Sequence, residues 1–155
     1  MKISALLLIA LLSMISCTKN VKEEMASQKA SYIETEEFAK LGLPFSQAVR
    51  YGNLLYLSGQ IGDVQETGKL VEGGIVPETR QAMKNIQKVL EYNGSSLDNV
   101  IKCTCMLADI DDWGKMSAEY VKFFPTHKPA RSAFATTGLA LNARVEIECI
   151  AYVED

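Results

Sequence analysis

Pro129-Ala130-Arg131-Ser132-Ala133-Phe134 leads, through the small-residue turn Thr136-Thr137-Gly138-Leu139-Ala140, into Arg144-Val145-Glu146-Ile147-Glu148-Cys149-Ile150. This stretch decides the reading of the chain. Two strands are expected, over Ser132–Ala135 and Ala143–Val153, and each carries a charge where an ordinary strand holds something neutral. Arg131 stands directly before an apolar run. Glu146 alternates with Val145 and Ile147, so it projects from the opposite face of its strand. Pairing of the two strands would bring both charges to one rim of a sheet, although they lie fifteen residues apart. Such a rim suits a small substrate that carries a carboxylate and needs an activated water.

Around this stretch the bulk composition sets limits. The chain has 155 residues, 48% hydrophobic and 23% charged, which suits one globular domain with a real core. Formal net charge is −3, or −4 once a leader carrying Lys2 is removed. No basic patch stands out, so nucleic acid is not the expected partner. With one histidine, His127, a histidine triad or histidine-rich metal site is not expected either.

Met1–Ser16 holds one basic residue and the apolar run Ile3–Leu12, too short to span a bilayer but the right length for a secretory signal. It ends in Leu12-Ser13-Met14-Ile15-Ser16-Cys17, which resembles the lipobox of bacterial lipoproteins. The expectation is a lipoprotein-type signal at 1–16, lipid on Cys17, and a flexible polar linker over 17–30. A multiply acylated cysteine is a stable membrane anchor, so the chain is expected at the bacterial cell envelope, on the periplasmic or outer-membrane face. The domain follows over 31–155.

Within the domain, Gly52-Asn53 between Ala48–Tyr51 and Leu54–Ser58 signals a hairpin. Leu54-Leu55-Tyr56-Leu57 reads as a central strand covered on both faces. Pro77–Tyr92 is a helix, with Ala82, Ile86, Val89 and Leu90 as one apolar stripe and Asn93-Gly94 as its stop. Ile101–Ala108 is a strand in which Ile101, Cys103, Cys105 and Leu107 share a face. Asp111–Phe124 is a second helix carrying Trp113, Met116, Tyr120 and Phe123 at spacings of three and four. The order β-β-α-β-α-β-β predicts an α+β domain, a mixed or antiparallel sheet with two helices on one face. Apolar residues on both sides of several strands suggest that oligomerisation covers the other face.

Cys103 and Cys105 point the same way along their strand, too far apart for a relaxed disulfide with each other. Cys149 could neighbour either. Buried free thiols are the expected state, with a disulfide or a metal site as alternatives.

The stretch quoted at the outset resembles the C-terminal signature of the RidA (YjgF-type) enamine/imine deaminase family. Leu43-Pro44-Phe45-Ser46-Gln47 is similar to that family's Gly-Pro-Tyr-Ser-Gln segment, and Tyr56-Leu57-Ser58-Gly59-Gln60-Ile61 to its Ser-Gly-Gln strand end. Tyr120-Val121-Lys122-Phe123-Phe124 falls on the second helix as in the family. The resemblance covers about Phe38 to Glu154. It implies a chorismate-mutase-like single domain assembled as a homotrimer, with ligand pockets between subunits. It implies that Arg131 holds a substrate carboxylate and Glu146 positions the attacking water. Phe45, Ser58, Gly59, Ser117, Tyr120 and Ala133 would line the substrate site, with no metal or cofactor. Three positions depart from the family: Phe45 replaces a tyrosine, Ser117 an asparagine and Ala133 a cysteine.

The expected function is therefore hydrolytic deamination of 2-imino or enamine acids to 2-oxo acids and ammonia. The alternative is a non-catalytic trimeric module that binds small carboxylates or proteins at the envelope.

Overall fold

The computed structural model describes residues 29–154. The signal at 1–16, the lipid site at Cys17 and the linker up to residue 28 lie outside the described residues. The domain begins with β1 (Ser31–Ile33) and a one-turn helix α1 (Glu36–Ala39), whose Thr35 side chain accepts from Phe38 N at 3.2 Å. β2 (Ala48–Tyr51) and β3 (Leu54–Leu57) form the expected hairpin, and Gly52 supplies the left-handed residue at φ 61°. β4 (Gln60–Ile61) follows, then a small separate hairpin of β5 (Asp63–Val64) and β6 (Lys69–Leu70).

Helix α2 (Ile75–Tyr92) begins two residues before Pro77, behind Gly74 at φ 78°. Its buried side chains include Ala82, Met83, Ile86, Val89 and Leu90, the stripe read from the sequence. β7 (Val100–Leu107) leads to α3 (Trp113–Tyr120), and β8 (Ala130–Ala135) and β9 (Val145–Tyr152) complete the domain. The second helix is shorter than expected, because Ile110–Asp112 and Val121–Phe123 are 3₁₀ turns on either side of it. Asp112 is the N-cap residue of the helix but makes no side-chain capping hydrogen bond; Asp109 caps the preceding 3₁₀ turn, its carboxylate accepting from Asp111 N at 3.0 Å.

The strands form one mixed sheet in the order β1-β2-β3-β9-β7-β8, with β4 also on β9. Only β7 and β8 run parallel among the described pairings of this sheet. The α+β single domain with a mixed sheet is the expected one. Its core lies between α2, α3 and one sheet face, where Leu55, Leu57, Cys103, Cys105, Leu107, Val145, Ile147 and Cys149 are buried.

Three expectations need correction. β3 is not covered on both faces by the described residues: Leu55 and Leu57 are buried, but Tyr56 is 42% exposed on the face away from the helices. Ile101 does not share the buried face of Cys103 and Cys105. A register shift between Val100 and Lys102 turns it outward and buries Val100 in its place. Finally, β8 and β9 do not pair. β7 lies between them, parallel to one and antiparallel to the other, so the two charged strands never share a rim in the way a hairpin would bring.

Candidate active site

Arg131 is the second residue of edge strand β8, opposite Cys103 of β7. Residues paired across a sheet share a face, so Arg131 and Ala133 lie on the helix side with Cys103 and Cys105. There the Arg131 guanidinium carbon sits 5.2 Å from the Trp113 ring centroid and 5.0 Å from the Tyr120 centroid. Its Nη1 is 4.0 Å from Met116 Sδ. Trp113, Met116 and Tyr120 recur at helical spacing along α3, so one helix face cradles one guanidinium. Among the described residues no carboxylate lies within ion-pairing distance of Arg131. A guanidinium with five donors, held by aromatic faces and left without an anion, is built to receive one.

Beside it lies a cleft of about 320 Å³ lined by Ser117, Tyr120, Val121, Lys128, Pro129 and Arg131. Ser117 Oγ and Tyr120 Oη are buried with no hydrogen-bond partner among the described residues. Buried polar atoms are rarely left unpaired without a reason. Burial first, and then the charge of the neighbouring Cys103, hold the Tyr120 phenol well above its ordinary pKa, so it stays a donor. The adjacent Glu119 is committed elsewhere: its two oxygens bind Arg80 Nε and Lys122 Nζ, both at 2.6 Å.

Glu146 occupies the opposite sheet face, opposite Met106 of β7 and Ile61 of β4. Its carboxylate lies on the backbone of Gly59, where a Cβ would fall 1.9 Å from Oε1. Glycine is required here for close approach rather than for an unusual φ. Burial, and secondarily the charge of Glu148, raise the Glu146 pKa above the usual carboxylate value. Ser58 Oγ donates to Ser46 O at 2.7 Å, which fixes the segment carrying Phe45 next to Gly59. Phe45 is 47% exposed and meets Phe38 edge-on, with ring centroids 5.9 Å apart.

The structure therefore assembles two groups. Arg131, Ser117, Tyr120 and Ala133 belong to the helix side of β8. Glu146 and Gly59 meet on the other sheet face, with Ser58 and Phe45 anchored beside Gly59. In one chain the two groups are on opposite faces, because Arg131 aligns with Cys103 whereas Glu146 aligns with Met106. The shared rim expected from sequence is not formed within a single protomer. Sequence reasoning placed Trp113 and Met116 only in a core stripe and missed their contact with Arg131. The helical spacing was visible, but not the strand that would lie across it. His127 is exposed, as its proline-bounded loop suggests.

The profile of the family described as Endoribonuclease L-PSP matches residues 37–153. The chain is 42% identical over 127 residues to Reactive Intermediate Deaminase A, chloroplastic, from Arabidopsis thaliana, covering 81% of this chain and 67% of that protein. It is 43% identical over 108 residues to the 2-iminobutanoate/2-iminopropanoate deaminase of Mus musculus, covering 70% and 80%. Among solved structures, the Yersinia pestis Rid-family protein YyfA superposes with a TM-score of 0.75 at 38% identity, over 81% of this chain and all of that one. TdcF of E. coli, crystallised with bound serine, superposes with a TM-score of 0.68 at 28% identity, over 72% and 90%.

Proposed function

The chain belongs to the Endoribonuclease L-PSP family, and from that premise we propose that it hydrolyses small 2-imino acids and their enamine tautomers to 2-oxo acids and ammonia. The observation that carries this reading is the stacked Arg131 guanidinium, which among the described residues has no anion, beside a cleft with two hydroxyls unpartnered there. The relatives named as imine deaminases supply the reaction class, and the serine bound to TdcF is a ligand of matching size and charge.

In this reading Arg131 pairs bidentately with the substrate carboxylate and Lys128 adds positive charge at the cleft mouth. Ser117 and Tyr120 offer hydroxyls to the substrate's polar end. A protonated imine carbon is already electrophilic, so the protein has to place a water and pass its two protons to the leaving nitrogen. Glu146 takes a proton from the water as its oxygen bonds to the imine carbon. Glu146 returns that proton to the carbinolamine nitrogen; the C–N bond then breaks as the hydroxyl oxygen closes the carbonyl, and the hydroxyl proton passes through Glu146 to the departing ammonia, which leaves as ammonium. The raised pKa of Glu146 makes it a better proton acceptor than a solvated carboxylate.

Because Arg131 and Glu146 lie on opposite faces of one sheet, a complete site requires a second copy. We assign the assembly as a homotrimer with sites between subunits. Its support is the uncovered sheet face, which carries Tyr51, Tyr56 and Phe134 half-exposed. The family description names an RNA-cleaving activity, but the neighbouring Glu146 and Glu148 would repel a phosphate backbone. The envelope location through lipid on Cys17 is part of the same proposal and rests on the leader.

The test generates a 2-imino acid with an amino-acid oxidase in the presence of semicarbazide. Wild-type chain should divert the imine from the trap, and the Arg131→Ala chain should not. If wild type diverts none while still binding 2-oxo acids, the site is a carboxylate-binding module.

A further inference from the structure

Cys103 and Cys149 stand directly opposite each other across the antiparallel β7–β9 ladder. Opposed residues in such a ladder have Cα atoms about 4.5–5.5 Å apart, inside the span of a disulfide, about 4.4–6.8 Å. Their side chains share the helix-side face, and their sulfurs are 2.7 Å apart. Cys105, two residues along the same face, is opposed by Ile147 instead. Both members of the pair are reduced in the structure and fully buried. Nothing in the hydrolytic chemistry uses them.

We propose that Cys103 and Cys149 are a covalent modification site, closing to a reversible cross-strand disulfide when a small hydroperoxide reaches Cys103. The attacking sulfur is Cys103. Its thiol is held below the ordinary cysteine value against the effect of burial, first by the hydrogen bond with Cys149, then by the neighbouring Tyr120 hydroxyl, with the Arg131 and Lys102 charges adding to it. Cys149 is pushed up and stays protonated. This is the split that thiol oxidation followed by resolution requires. Cys103 is buried and does not line the cleft beside Arg131, so a peroxide entering that cleft would have to pass Tyr120 to reach it. Tyr120 forms part of the cleft wall, and Cys103 is close enough to the Tyr120 phenol to perturb its titration.

The steps balance. Cys103 thiolate attacks one peroxide oxygen, the O–O bond breaks, and the hydroxide released takes up a proton to leave as water. Cys103 is then a sulfenic acid. The Cys149 sulfur attacks the Cys103 sulfur, the S–O bond breaks, and a second water leaves with the Cys149 proton. Two thiols have given two electrons to the peroxide. A dithiol reverses the bond by exchange. The clamp joins the strand beside Arg131 to the strand that carries Glu146. An exported chain would meet an oxidising compartment where such a bond persists.

The experiment treats the full-length chain with hydrogen peroxide after reduction, alkylates the remaining thiols and maps peptides without reductant. No Lys or Arg separates Cys103 from Cys105, so a Cys105→Ala chain is run in parallel. The expected result is a peptide spanning Cys103 joined to the peptide containing Cys149, in both chains. The oxidised chain should melt about 10 °C higher and return on dithiothreitol treatment. In a Cys149→Ala chain the link should vanish and a dimedone-reactive sulfenic acid should appear at Cys103. The proposal is overturned if the link is lost in Cys105→Ala. It is equally overturned if Cys103 and Cys149 remain alkylatable at peroxide concentrations that oxidise the unfolded chain. This result is independent of whether the site hydrolyses imines.

Discussion

At the scale of single residues, three positions carry the proposed chemistry. In the proposed site Arg131→Ala would remove both charge-assisted hydrogen bonds to the substrate carboxylate, about 3–4 kcal/mol or roughly a hundred- to thousand-fold in kcat/KM, in the imine-trap assay. Gly59→Ala should act differently, because its methyl would meet Glu146 Oε1 at 1.9 Å and push the carboxylate off its seat. The expected outcome is a fall in kcat with little change in the affinity for 2-oxo acids, whose carboxylate the proposed site holds on Arg131. Glu146 also sets a pH limb. Its pKa is raised by burial and by Glu148, and the carboxylate is the working form, so the rate should rise with pH through a value above that of an ordinary glutamate. Glu146→Gln should lose that limb together with most of the rate. A profile with the same limb in the glutamine variant would assign it to another group.

At the scale of the element, α3 both holds the arginine and closes the cleft. Trp113 is 45% exposed, yet its ring covers one face of the guanidinium. Trp113→Ala should raise KM about fivefold for the loss of roughly 1 kcal/mol of cation–π contact, with kcat nearly unchanged. The helix is itself tied down through Glu119, whose pKa is lowered first by the Arg80 hydrogen bond and then by Lys122. For a lowered carboxylate the unfolded chain, titrating near about 4.3, binds its proton first. This stabilisation is complete above that value and is lost as pH falls through the lower folded value. Denaturant unfolding measured in steps from neutral to acid pH should show that loss in wild type and a flatter profile in Glu119→Gln.

At the scale of the whole molecule, the uncovered sheet face and the split site point to the same requirement, a second copy. Phe134 lies on that face, beside Met106 and 47% exposed. In the proposed trimer Phe134→Glu would place a charge in the subunit interface, so sedimentation should then report a monomer, with activity lost although Arg131 and Glu146 are both intact. Activity in a monomeric Phe134→Glu chain would overturn the shared site.

The sequence by itself determined the α+β class, the α2 stripe, the Gly52-Asn53 hairpin and the two charged positions, because periodicity, turn chemistry and a charge inside an apolar strand are local signals. Only the tertiary structure decided where those charges point. Strand order is non-local: β7 inserts between β8 and β9, and its register aligns Arg131 with Cys103 but Glu146 with Met106. One residue of parity sends two side chains to opposite faces, and no spacing read along the chain carries that information. The aromatic seat for Arg131 and the Cys103–Cys149 contact are hidden for the same reason. Each joins elements that lie far apart in sequence and meet only when the sheet and helices pack.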